Sequence, residues 1–166
     1  MGPNRLVLKE IFAMTHRLAI AALVLWVVTV AGAGFVFVRG RTAPASDGRT
    51  AVLLAPADRD FVLAEMRALL EVTQNITAAL AEDDRAKIAV AARSGGRGTV
   101  KGVPLGLMAR LPLDFKQAGM AMHGGFDEIA AAADRGESMK QLNARLADQL
   151  NLCVGCHQAY RIDAVH

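Results

Sequence analysis

Residues 18–38, LAIAALVLWVVTVAGAGFVFV, form a run of 21 without a single charge. As a helix rising about 1.5 Å per residue, that run measures roughly 31 Å, the thickness of a bilayer's hydrocarbon core. It predicts a membrane-spanning helix, ahead of a helix buried in a protein core. Ala31-Gly32-Ala33 offers the small residues of a signal-peptide cleavage site. A cut there would leave Phe35-Val36-Phe37-Val38 as a sticky apolar N-terminus. A retained anchor is therefore expected, with residues 1–17 as its leader.

Arg5, Lys9 and Arg17 precede the span while Arg39 and Arg41 follow it closely, so the positive-inside bias is slight. A short leader of this kind favours N-in, C-out. That places the rest of the chain in the periplasm, single-pass at a bacterial inner membrane. The same residues account for the formal charge of +3: residues 1–41 hold those five basic side chains against Glu10 alone, which leaves the remainder close to neutral. No basic, aromatic-interleaved face points to nucleic acid.

Residues 39–56, RGRTAPASDGRTAVLLAP, are rich in Gly, Pro, Ser and Thr in their first half and read as a linker. Val52-Leu53-Leu54 are expected to pack on the domain or on the membrane surface. Residues 57–166 read as one all-α domain without β-structure. Val62, Met66, Leu69, Thr73, Ile76 and Leu80 recur at steps of three and four, one face of a long helix. Asp83 or Asp84 caps a shorter helix, RAKIAVAARS, that stops at SGGRG. Those glycines follow a helix instead of opening one, so they read as loop and not as a phosphate cradle. A turn or two around Met108, a third long helix between Pro112 and Gly136, and a fourth capped by Ser138 complete an antiparallel four-helix bundle. Its interior is rich in Ala and Gly, notably at 118–119, 124–125 and 130–133. Such residues bury little area each, which leaves room for something large.

The fourth helix supplies a candidate. Cys153-Val154-Gly155-Cys156-His157 is the C-x-x-C-H pattern of covalent c-type haem attachment. Thiols at i and i+3 on one helix face can each add to a vinyl group of one porphyrin, and the histidine at i+4 lies beneath the ring to ligate iron. One haem c is thus the expected cofactor. Three other readings compete. A thiol–disulfide centre normally opens a helix beside a βαβ sheet, whereas this pair lies near the end of one. A zinc site wants four ligands, and only His123, His157 and His166 are available to join the two thiolates. A structural disulfide or unrelated surface cysteines are the third.

Cys153-x-x-Cys156-His157-x-x-Tyr160-Arg161, near the C-terminus of a helical bundle, resembles the class II cytochromes c, the family of cytochrome c prime and its low-spin relatives. The resemblance covers roughly residues 57–162. It implies one haem held against the bundle by the last helix, with the first helix of the bundle facing the opposite side of the iron. It further implies that Cys153 and Cys156 bind haem covalently, that His157 is the proximal ligand and that Arg161 sits near a propionate. Helix-mediated homodimers, formed by many relatives, are one state open to the chain. Two features depart from the family: the second helix is short, and typical soluble members lack the membrane span.

The sixth iron position decides the chemistry. Met66 lies about where low-spin members of the family place an axial methionine, and a thioether there favours the reduced state and outer-sphere electron transfer. Met108, Met120, Met122 and His123 are alternatives, as is an open five-coordinate iron. Nothing arranges a carboxylate pair for acid–base catalysis. The expected function is a membrane-anchored periplasmic electron carrier, not an enzyme, that exchanges single electrons with membrane-bound and soluble redox proteins. A vacant distal face would instead make the chain a gas-ligand binding or sensing protein, and free thiols a thiol–disulfide oxidoreductase.

Overall fold

The computed structural model describes the backbone of residues 4–165 and the side chains from residue 9 onward, Leu105 excepted. His166, one of the zinc candidates, lies outside the described residues. The chain is mostly helical. Helix α1 (Asn4–Arg39) is continuous over 36 residues, so leader and apolar run form one rod. Its stretch Lys9–Arg39 is long and apolar enough to cross a membrane, and none of it is buried against the protein.

Residues 39–56 depart from the linker expectation. Strand β1 (Thr42–Pro44) pairs antiparallel with β2 (Thr50–Leu54). Asp47-Gly48, a turn dipeptide, sits in the short loop between them with Gly48 in the left-handed region at φ 84°. Strand β2 then pairs in parallel with a third strand, β3 (Tyr160–Ala164), giving the sheet order β1-β2-β3. Ala51, Val52 and Leu54 are buried. The absence of β-structure expected from sequence is corrected here. Tyr160 ends the last helix and opens β3, because Tyr160-Arg161-Ile162-Asp163-Ala164 has β2 alongside to satisfy its backbone.

The remaining helices begin and end where local chemistry directs. Helix α2 (Pro56–Ala81) has Pro at its first position. Asp84 caps α3 (Arg85–Arg93), its side chain accepting from the Lys87 amide at 2.9 Å. A single turn, α4 (Leu107–Arg110), leads into α5 (Leu113–Asp134). Ser138 and Gln141 form a reciprocal capping box at the start of α6 (Met139–Ala159).

Helices α2, α3, α5 and α6 surround one core that includes Val72, Ile76, Ile88, Phe126, Ile129, Leu142 and Leu146. Its small residues do not leave a gap. Ala89 and Ala92 of α3 and Ala130, Ala132 and Ala133 of α5 are buried together and let the two helices approach closely. Gly125 makes room for Gln149, whose amide donates to the Met122 carbonyl at 2.6 Å. A second core joins the sheet to the helix ends through Val52, Leu54, Val62, Leu107, Leu111 and Phe115. Open space adjoins both cores: a cleft beside the second, and a groove of about 580 Å³ between α2 and α3 that Ala79 and Ala91 line at the edge of the first.

Leu54 is fully buried on the domain, one of the two packings expected for Val52-Leu53-Leu54. Leu54→Ala should therefore cost about 2–5 kcal/mol in chemical denaturation; packing on the membrane surface would leave the stability of the domain untouched.

Candidate functional site

A cleft of about 200 Å³ opens beside the second core. One wall is α2, through Leu63 and Met66; the other is the last turn of α6, through Cys156 and His157. Phe115 of α5 and Tyr160 at the start of β3 close one end, their rings meeting edge-on at 5.4 Å. Arg49, Arg161 and Ile162 complete the lining from the sheet.

Four of the five residues singled out in the sequence therefore share one cleft: Met66, Cys156, His157 and Arg161. The fifth, Cys153, lies one turn earlier on α6 and packs against the first core, its Sγ 3.8 Å from Met122 Sδ. The other sixth-ligand candidates lie elsewhere. Met108 is exposed on α4 and Met120 is exposed on α5. Met122 is buried beside Gln149 and Cys153. His123 is buried too, with Nδ1 2.7 Å from the Gly95 carbonyl. Among the described residues, Met66 is the one methionine that lines the cleft.

Arg49 was not legible as a site residue. It immediately precedes β2, the strand that neighbours β3, and its Nη1 donates to the carbonyls of both His157 and Tyr160 at 3.3 Å. A guanidinium there meets the partial negative charge of the α6 C-terminus and holds the turn that carries Cys156 and His157. Asp47 steadies it, accepting from Arg49 Nη2 at 2.7 Å and from the Arg49 amide at 3.1 Å. Arg161 Nη1 reaches the same carboxylate at 3.3 Å, and its Nε donates to Asp163 at 2.9 Å. The Arg49 hydrogen bonds hold the Asp47 carboxyl down at about 2, and the Asp163 partner raises Arg161 above its ordinary value. The Asp-Gly turn followed by alternating residues, and the alternation in 160–164, are the sequence signals that point to this arrangement.

Both cysteines are free and partly buried. Burial pushes both thiols up, and they sit at the C-terminal end of a helix, where the dipole disfavours an anion. Reactive thiolates have the opposite environment. Among the described residues, no cluster of three or more His, Cys, Asp or Glu is placed to hold a metal ion. The ligand chemistry available in the cleft is instead a thioether, an imidazole and a thiol. Searches of family models, curated proteins and solved structures find no match to this chain.

The Asp47 clamp makes a prediction with a defined sign. Its folded-state pKa lies below the unfolded value, so its stabilisation is complete above about pH 4 and fades as pH falls toward 2. Thermal melts of wild type and Asp47→Asn should differ by a small, constant amount above pH 4, because the group is exposed. The gap should close on acidification.

Proposed function

We propose that the chain is a membrane-anchored periplasmic c-type cytochrome, an antiparallel four-helix bundle that carries single electrons on one covalently attached haem. The observation that carries this reading is the sharing of one cleft by Met66, Cys156 and His157. Residues far apart in sequence would supply a sulfur and a nitrogen able to ligate an iron. Cys153 and Cys156, at i and i+3 on α6, would supply the two attachment points, Cys153 only after its thiol turns from Met122 and the first core toward the cleft. Location in the periplasm follows from the chemistry, since c-type attachment takes place on the outer side of the bacterial membrane, and α1 supplies the anchor.

The donor set fits the group; the cleft fits it only in part. About 200 Å³ is less than the roughly 300–1,000 Å³ of pockets that enclose drug-sized ligands. A macrocycle there leaves an edge exposed or displaces the Phe115–Tyr160 pair. When bound, it supplies an iron that cycles between ferrous and ferric states. The chain's own residues orient and tune it. His157 is held from behind by the Arg49 contact to its carbonyl, and Met66 offers a ligand that favours the reduced state. Arg161 and Arg49 offer guanidinium donors to propionates. Phe115 and Tyr160 keep water from the inner end of the cleft. The bundle reading extends to membrane-bound and soluble redox partners, with homodimers as one state open to it.

The test is an optical spectrum of full-length protein from a host able to attach haem, taken on wild type and Met66→Ala. Wild type should give a sharp, low-spin reduced α-band that carbon monoxide leaves unchanged. Met66→Ala should turn high-spin and bind carbon monoxide. A wild-type spectrum that is already broad and shifts with carbon monoxide supports gas-ligand binding instead and overturns the carrier reading.

A further inference from the structure

The end of α1 is not followed by slack chain. Gly40 alone separates Arg39 from Arg41. It takes the left-handed conformation at φ 63°, so close to the Arg110–Pro112 backbone that a side chain has no room. The Arg41 amide donates to the Arg110 carbonyl at 2.7 Å, and the Leu53 amide donates to the Arg41 carbonyl at 2.8 Å. Beside this junction Lys116, on α5, is only 6% exposed. Its Nζ donates to the Phe37 carbonyl at 2.6 Å and the Met108 carbonyl at 3.1 Å, and lies 3.4 Å from the centre of the Phe37 ring.

A buried ammonium is costly unless it is compensated, and among the described residues no carboxylate pairs with Lys116. Its compensation is the α1 C-terminus: an orphan carbonyl of the last turn, the negative end of the helix dipole and an aromatic face. Separating α1 from the domain would take away the Phe37 carbonyl and ring and leave that charge the Met108 carbonyl alone. Burial already pushes the Lys116 pKa down.

We propose that α1 and the domain form one rigid unit pegged by Lys116, which seats α4 on the lipid headgroup layer. Phe35, Val36, Phe37 and Val38 are about half exposed or more, and such residues belong in hydrocarbon. One turn away in space, α4 presents the exposed Met108, while Arg39 and Arg41 are exposed at the level where basic side chains meet headgroups. Phe115, next to Lys116, lines the cleft, so the cleft lies at the bilayer end of the domain and does not swing at the end of a tether. Docking rests on α1 spanning the membrane. Only its consequence for redox partners, which must meet the cleft near the membrane plane, rests on the proposed haem function.

The test uses the full chain in lipid nanodiscs. A genetically encoded fluorescent residue replaces Ala109 on α4 or Lys87 on α3, and the lipids carry a headgroup-attached quencher. Wild type should be quenched several-fold more at 109 than at 87. A flexible Gly-Ser insertion between Gly40 and Arg41 should bring the two toward equality, and so should Lys116→Met. Equal quenching in wild type, or an unchanged ratio after the insertion, overturns the docked unit; an unchanged ratio in folded Lys116→Met overturns the assignment of Lys116. Should Lys116→Met fail to fold, the insertion decides. Absorbance of the same samples reads haem content separately, and failure to enter nanodiscs refutes the span itself.

Discussion

The parallel pairing of β2 with β3 is the constraint on which the site depends. It brings the segment that leaves α1 alongside the residues that follow His157, with Thr50 opposite Tyr160 and Leu54 opposite Ala164. The last turn of a helix has carbonyls without intrahelical partners and tends to fray. Here α6 passes directly into a strand, and Arg49, one residue before β2, binds the His157 carbonyl in its last turn and the Tyr160 carbonyl just beyond it. The turn that carries Cys156 and His157 is thereby fixed against α2 and Met66.

The helices were legible because their signals are local. Pro56, Asp84, Ser138 and the three-and-four spacing of apolar residues act within a turn or two, and the structure places helix ends beside each of them. The sheet was less legible, since its strands are three to five residues long and the decisive pairing joins opposite ends of the chain. Gly, Pro, Ser and Thr around 39–48 resemble a linker in composition, although Asp47-Gly48 is also a hairpin signal. Of the site, the C-x-x-C-H pattern was readable from spacing, whereas Met66 was singled out by the family resemblance. Arg49 was not, because its role exists only once β2 and β3 meet. The small residues of α5 misled in the other direction: they shorten the distance to α3 and accommodate Gln149, and the cleft lies elsewhere.

Charge and burial together narrow the chemistry of the cleft. Two partly buried thiols at a helix C-terminus, with pKa values pushed up, are poorly placed for thiol–disulfide exchange, whereas a thioether and an imidazole in one cleft suit an iron centre. Two arginines at the cleft are tied to Asp47 and Asp163, so the group is balanced in charge and offers guanidinium donors instead of net positive potential. The Lys116 contact gives the cleft a position relative to α1 that a flexible tether would not.

The central claim is covalent attachment of one haem through Cys153 and Cys156, and intact-mass measurement tests it most directly. Full-length protein from a host competent in c-type attachment should carry the mass of one haem and leave no thiol for alkylation after denaturation. Protein of unmodified mass with two alkylatable thiols would contradict it.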